Sequence, residues 1–284
     1  MAQLTFLTQT RKENPFLISS VKSIIEGIDK HSFQNNINLV VNFQSKEIFS
    51  NEIVENDKKS FLKVIKTPLL SLSKARNLLL DYSIKNFENS DFFITVDDDI
   101  KIDNLENFYN SLFYSNNKKV QFDFGCALLI FEDTKRPFSR HMKKSLLIKK
   151  EPFLMKKENH NIVLGSGLVF SKKIINDGLR FDDKLGLGAE YGGSEETDIF
   201  LTSIEKGYNC LFLKNSIILH PRLNFERYGF SKMYLYGKGR GYTYKKHLNK
   251  DKMYYMSCIC KSLLLNLVGI NYGLFSFNKV IFTN

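Results

Sequence analysis

The chain has 284 residues, 43% of them apolar and 25% charged, with a net charge of +11. Its length and apolar content allow a sizeable core, as one large domain or one domain plus an appendage, and exclude disorder throughout. The charge is local: residues 214–284 hold 12 basic and 2 acidic side chains while the preceding 213 are nearly balanced, so the sum alone does not argue for a nucleic-acid partner.

The start, MAQLTFLTQTRKENPF, lacks a basic segment followed by a long apolar one, so no secretory signal is expected. LTFLTQT (4–10), INLVVNF (37–43), FLKVI (61–65) and DFFITV (91–96) are short β-favouring apolar runs. Between them PFLISSVKSIIEGI (15–28) and SKARNLLLDYSIKNF (73–87) carry helical spacing. Strand alternating with helix indicates an α/β fold with a mostly parallel sheet, in which ligands bind beyond the carboxyl ends of the strands. Cys126, Cys210, Cys258 and Cys260 form no CxxC pair, so reduced thiols and a cytoplasmic setting are expected.

Asp97, Asp98 and Asp99 follow the fourth run directly, and three adjacent like charges call for water or a cation. While the strand persists, Asp97 and Asp99 share a face roughly 6.5–7 Å apart, with Asp98 opposed. Such a pair suits Mg²⁺ or Mn²⁺, which take carboxylate oxygens and often keep substrate phosphates as further ligands. A solvated acidic turn is the plainer reading of the same three residues. The second acidic cluster lies in GLGAEYGGSEETDIF (186–200): a glycine-rich loop leads to Ser194, a good N-cap, and then to Glu195, Glu196 and Asp198, with the helix ending near Gly207. Acids there also complement the helix dipole, so the cluster alone does not decide for chemistry. His220 closes the run SIILH and can serve as a metal ligand or as an ordinary hydrogen-bonded histidine, while His31, His141, His160 and His247 show no metal spacing and are read as structural. Residues 135–160, with Pro137, Pro152 and many cations, read as a mobile insertion able to close over a ligand, or as an ordinary solvated loop.

Taken in order, LTFLTQT, SLSKARNLLL, TVDDD, GSGLVFSKKIINDGLRFDDKLG and SEETD resemble the family 2 glycosyltransferases over about residues 3–222. The resemblance rests on an Ala-Arg-Asn segment, a DxD motif, a Phe-Asp-Glu-like stretch at Phe181, Asp182 and Asp183, and a Glu-Asp-x-Asp-like motif with Glu196 in place of Asp. It implies a GT-A, Rossmann-like mixed sheet flanked by helices, occupying residues 1–224, followed by a basic, aromatic and apolar helical tail at 225–284. It further implies transfer from a nucleoside-diphosphate sugar to an acceptor hydroxyl with inversion. Thr8, Arg11, Arg76, Asp97 and Asp98 would then border the nucleotide sugar, and Asp97, Asp99 and His220 would hold Mn²⁺ or Mg²⁺. Glu196 would be the general base, with Glu195 or Asp198 orienting the acceptor or the loop, and Gly165, Ser166 and Tyr191 on the acceptor side. Whether Glu195 or Glu196 takes the proton stays open at this level, with Glu196 favoured.

The tail interleaves aromatic and basic residues at 225–252 and turns apolar at 253–270 around Lys261. It is borderline for a spanning helix and reads better as an interfacial segment on the anionic inner face of the cell membrane, or as a helix packed on the catalytic domain. Membrane docking would suit a glycan or lipid-linked acceptor in surface-polysaccharide or glycolipid assembly. Two rivals remain. A metal-dependent nucleotidyltransferase would use a similar sheet, but no early glycine-rich phosphate loop bearing Lys or Arg is present. A nucleic-acid binder could use the Tyr-interleaved basic tail, but would leave both acidic clusters without a role.

Overall fold

The computed structural model describes residues 3–10, 15–44, 59–115, 118–147, 152–222 and 230–264. The first half alternates β1 (Leu4–Thr10), α1 (Pro15–Lys30), β2 (Ile37–Phe43), β3 (Leu62–Lys66), α2 (Leu72–Asn86) and β4 (Phe92–Val96). Each expected run is present, with edges displaced by one or two residues. β1 and β4 are buried at every position, as strands covered by helices on both faces must be. Helix α1 turns Leu17, Val21, Ile24 and Ile28 into the core at intervals of three or four residues.

The second half begins with the short β5 (Lys101–Ile102), α3 (Leu105–Phe113), and the small pair β6 (Tyr114–Ser115) and β7 (Lys118–Lys119). It continues through β8 (Phe124–Phe131), α4 (Arg140–Ser145), β9 (Phe153–Leu154), a 3-10 helix (Lys157–Ile162), β10 (Leu168–Ser171) and α5 (Lys172–Asn176). Helix α6 (Glu195–Glu205), β11 (Cys210–His220) and α7 (Phe230–His247) follow, and a last helix, α8, covers 252–264. The stretch 135–160, expected as a loop, thus contains short elements among its described residues. Met142 is buried there, and Phe138 packs edge-on to His220 at 4.9 Å between ring centroids.

The main sheet has nine strands in the order β3-β2-β1-β4-β10-β8-β11-β5, with β9 beside β11. β1 to β4 run parallel, β8 and β11 are parallel to each other, and β10 is antiparallel to both of its neighbours, β4 and β8. The reversal of β10 positions the site; β5 and β9 are also antiparallel, to β11. Because Leu168 pairs with Thr95, the residues before β10 arrive at the carboxyl end of β4, beside the aspartates. Through the pairing of Leu219 with Lys101, the end of β11 is brought to the same place.

Helices α7 and α8 lie on this body. Tyr244, Tyr255 and Cys258 are buried, and His160 bonds the Tyr244 hydroxyl through Nε2 and the Tyr254 hydroxyl through Nδ1, each at 3.0 Å. Lys157 pairs with Asp251. Residues 230–264 pack on the body through these contacts; residues 225–229 and 265–284 lie outside the described residues. The four cysteines are unpaired: Cys126, Cys210 and Cys258 are buried and Cys260 is exposed.

Gly167 tests how tightly the reversed strand is seated. Its φ is +82°, its N–H donates to Thr95 O at 2.7 Å, its carbonyl accepts from Ala127 N at 2.9 Å, and an added Cβ would fall 2.7 Å from Ile218 Cδ1 and 2.9 Å from Ala127 Cβ. Gly178 has a similar φ of +78° with open space around it. Urea unfolding should therefore show Gly178→Ala losing about 1 kcal/mol from backbone strain alone. Gly167→Ala should lose about 2–4 kcal/mol, because overpacking adds to the strain. Equal losses would mean the core yields at Gly167.

Candidate active site

At the end of β4 the chain turns, and the turn rather than continued strand alternation brings Asp97 and Asp99 together. One ligand atom from each of Asp97, Asp99 and His220 lies within 4.8 Å of the others. Asp98 points elsewhere and accepts from Thr10 Oγ1 at 2.5 Å, which ties the turn to β1. His220 Nδ1 sits 2.7 Å from the Pro221 carbonyl, an acceptor for an N–H at that nitrogen, and Nε2 faces Asp99 Oδ1 at 3.4 Å. Asp99 Oδ1 is buried and accepts no hydrogen bond from the described residues. Burial, opposed by His220 and reinforced by Asp97 and Asp98, lifts the Asp99 carboxyl to about 6. A buried carboxylate oxygen, an imidazole nitrogen turned toward it and a second carboxylate form a donor set that fits Mn²⁺ or a similar divalent ion.

The second acidic cluster reaches the first through one side chain. Arg76 in α2 is 1% exposed. Its Nη1 donates to Glu195 Oε1 at 2.9 Å, and its Nη2 donates to Asp97 Oδ1 at 3.2 Å and to the Gly165 carbonyl at 3.0 Å. One buried guanidinium therefore touches the aspartate turn, the loop before β10 and the start of α6. An added Cβ on Gly165 would stand 2.9 Å from Nη2, so the absence of a side chain there lets the loop close on the cation. Next in sequence, Asn77 clasps Phe181 through both of its backbone polar groups, at 2.9 Å each, and donates to Asp183 Oδ1 at 3.0 Å. The Ala-Arg-Asn segment is thus the joint between the other motifs.

Glu195 opens α6 and is held by Arg76, while Glu196 beside it is half-buried. Burial and the neighbouring Glu195 charge push the Glu196 carboxyl up to about 8. Ser194 departs from expectation: it is left-handed (φ +70°), and its buried hydroxyl neither caps the helix nor finds a partner. Asp198 is directed at the tail, with Oδ2 accepting from Lys246 Nζ at 2.9 Å and Oδ1 facing His247 Nε2 at 3.0 Å.

The remaining expected residues fall as follows. Thr8 is buried in β1 opposite Val96, and its hydroxyl has no hydrogen-bond partner. Ser166 Oγ accepts the Asp97 N–H at 3.1 Å. Tyr191 lies toward the tail, stacked on Tyr242 at 4.1 Å with Lys238 Nζ 5.1 Å from its ring centre. Arg11 lies outside the described residues. A cavity of about 940 Å³ runs along the flank of α2 past Asn77, Tyr82 and Arg180 and includes none of the clustered acids. Sequence reading missed Lys246, His247 and Gly239. A signal was available in GKGRG, since glycines inside a helix are costly without a packing reason.

A scan against protein-family models finds no match, and neither does a search of curated proteins. Solved structures do match. Residues 1–349 of S. aureus TarS superpose with a TM-score of 0.59 at 14% identity, over 87% of this chain and 66% of that one. The mannosyltransferase PcManGT from Pyrobaculum calidifontis, in complex with GDP-Man and Mn²⁺, gives 0.61 at 10% identity, over 98% and 80%. GalNAc-T7 with UDP, GalNAc and Mn²⁺ gives 0.56 at 14%, over 78% and 44%. The fold is the GT-A glycosyltransferase fold. At these identities the likeness is one of architecture, and the chain spans less than two thirds of the TarS and GalNAc-T7 chains it matches.

Arg76→Met should leave Glu195 as an unpaired buried charge and cost about 3–5 kcal/mol by urea unfolding. Arg76→Lys should recover only part of this, since an ammonium cannot reproduce the planar fork. Wild-type stability of the Met variant would show that the guanidinium does not hold the clusters together.

Proposed function

We propose that this chain is an inverting, divalent-metal-dependent glycosyltransferase of family 2 type, moving a sugar from a nucleoside diphosphate to an acceptor hydroxyl. The observation that carries the reading is the Arg76 bridge, which makes the aspartate turn and the glutamate pair two walls of one site. The fold supports it, since neighbours of that fold are in complex with GDP-Man and Mn²⁺ or with UDP, GalNAc and Mn²⁺.

Asp97, Asp99 and His220 would hold Mn²⁺ or Mg²⁺. When bound, such an ion offsets the negative charge that develops on the departing diphosphate. Thr8 and Asp98 would border the nucleotide side, and Gly165, Ser166 and Tyr191 the acceptor side. Glu196 takes the proton of the acceptor hydroxyl. The new bond to the anomeric carbon forms on the face opposite the breaking bond to the diphosphate, so the configuration inverts. Glu195, spent on Arg76, is poorly placed to act as the base, whereas the raised Glu196 carboxyl is matched to a proton acceptor near neutral pH.

Three measurements test this. With a panel of nucleotide sugars, a thermal shift that requires Mn²⁺ should be abolished by Asp99→Asn and kept by Glu196→Gln. The Gln variant should lose about 10²–10⁴-fold in turnover, and intact turnover would refute the base assignment. Since the base acts only when unprotonated, kcat/KM should climb with pH and level off above about 8. A profile flat from pH 6 to 9 would exclude Glu196 as the titrating group.

We further propose that the enzyme works at the cytoplasmic face of the cell membrane, in surface-polysaccharide or glycolipid assembly. Among the described residues no helix is long and apolar enough to cross a membrane. Helix α8 nevertheless exposes Met253, Met256, Leu263 and Leu264 beside exposed Lys250, Lys252 and Lys261, a mixture suited to an anionic lipid surface. Flotation with anionic vesicles should be lost in Met256→Asp/Leu264→Asp and weak with zwitterionic vesicles. Equal flotation of that variant would remove α8 from the interaction.

A further inference from the structure

Helix α6, which presents Glu195 and Glu196, begins without a side-chain cap, so its first turn depends on ties from elsewhere. One is Arg76 on Glu195; the other comes from the C-terminal helix. Asp198, in the first turn, is buried between Lys246 Nζ at 2.9 Å and His247 Nε2 at 3.0 Å. The second ring nitrogen of His247 lies 2.7 Å from Glu205 Oε1, at the last residue of the same helix. Ionised carboxylates only accept, so both ring nitrogens carry protons and the imidazole is a cation spanning α6 from first turn to last. Burial works against that charge, but the bonds to Asp198 and Glu205 outweigh it and hold the group above its ordinary value. Lys246 also reaches Asp182 at 2.8 Å, adding the Phe-Asp-Asp loop to the same knot.

A steric tie accompanies the ionic one. A Cβ on Gly239 would fall 2.6 Å from the Tyr191 carbonyl oxygen and closer still to that of Gly193, so the α7 backbone rests directly on the glycine-rich loop. From the other side, a Cβ on Gly192 would meet Leu235 at 2.8 Å and one on Gly193 would meet Tyr236 at 2.5 Å. A Cβ on Gly237 or Gly241, in the same helix, would meet nothing within 4 Å among the described residues, so close approach there accounts for Gly239.

We infer that His247, Lys246 and Gly239 are positioning residues, clamping the start of α6 and the loop before it so that the Glu195–Glu196 pair stands at a fixed distance from the Arg76 and aspartate side. The kinetic consequence rests on the proposed transfer reaction; the structural one does not. Since a misplacement of about 1 Å can cost about 10²-fold in rate, loosening the clamp acts on turnover while the nucleotide side, built on β1 and β4, is left alone.

The test compares full-length wild type with His247→Gln, Gly239→Ala and, as a control, Gly241→Ala. Amide hydrogen exchange, the Mn²⁺-dependent thermal shift with UDP and GDP, and steady-state kinetics are read on each. Both clamp variants should exchange about tenfold faster at residues 192–198 with the sheet unchanged. They should keep the nucleotide shift, and lose about 10²-fold in kcat with donor KM within about twofold. Gly241→Ala should match wild type. Wild-type exchange at 192–198 in a folded clamp variant, or acceleration spread evenly over the sheet, overturns the inference. So does wild-type kcat. Should His247→Gln fail to fold, Gly239→Ala decides. If wild type turns over no nucleotide sugar, the functional reading falls and the exchange comparison alone judges the clamp.

Discussion

The structure turns on a cation buried where cations are rarely tolerated. Arg76 gives up its hydration inside α2, and such a charge is stable only where carboxylates and carbonyls meet it in good geometry. Glu195, Asp97 and the Gly165 carbonyl do so, and because they come from three separate stretches of chain, satisfying one side chain fixes three loops at once. The planar fork of arginine suits this, since its donors point in fixed and divergent directions. Sheet topology makes the meeting feasible. Reversing β10 delivers residues 165–167 to the end of β4, where an all-parallel order would have sent them to the opposite edge.

The two acidic clusters differ in how their charge is handled. Around the aspartate turn, Asp98 is tied off by Thr10 while Asp99 keeps a buried oxygen with no donor, a state suited to a hard cation. Around α6, Glu195 and Asp198 are neutralised by protein cations and Glu196 is left with a raised affinity for protons. On the proposed reading one cluster would serve a metal and the other proton transfer, and the difference lies in neighbours rather than in residue type.

Much of this was legible in the sequence because the signals are local. Five apolar residues before Asp97 mark a strand, and the alternation of such runs with helical spacing gives the sheet class. Motif order was enough for the resemblance to place Asp97, Asp99 and His220 together. What could not be read was direction. The carboxylates converge through a turn instead of strand alternation, Ser194 fails as a cap because its backbone is left-handed, and Arg76 faces acids rather than open solvent. Long-range ion pairs such as Asp198 with His247 join residues 49 apart and leave no periodic trace. The tail suffered most from this. Its lysines read as a uniform basic surface, yet Lys246 is paired with Asp182 and Asp198.

The placement of the cysteines has a practical side. Burial pushes the Cys126 and Cys210 thiols up to about 12, so they carry almost no thiolate at neutral pH, and Cys258 is shielded by packing. Cys260 alone among the four is open, on the same helix as Met256 and Leu264. Nature has thus left a single chemical handle on the unmutated chain: a maleimide fluorophore attached there would report the polarity around α8 without disturbing the aspartates, the glutamates or the guanidinium between them.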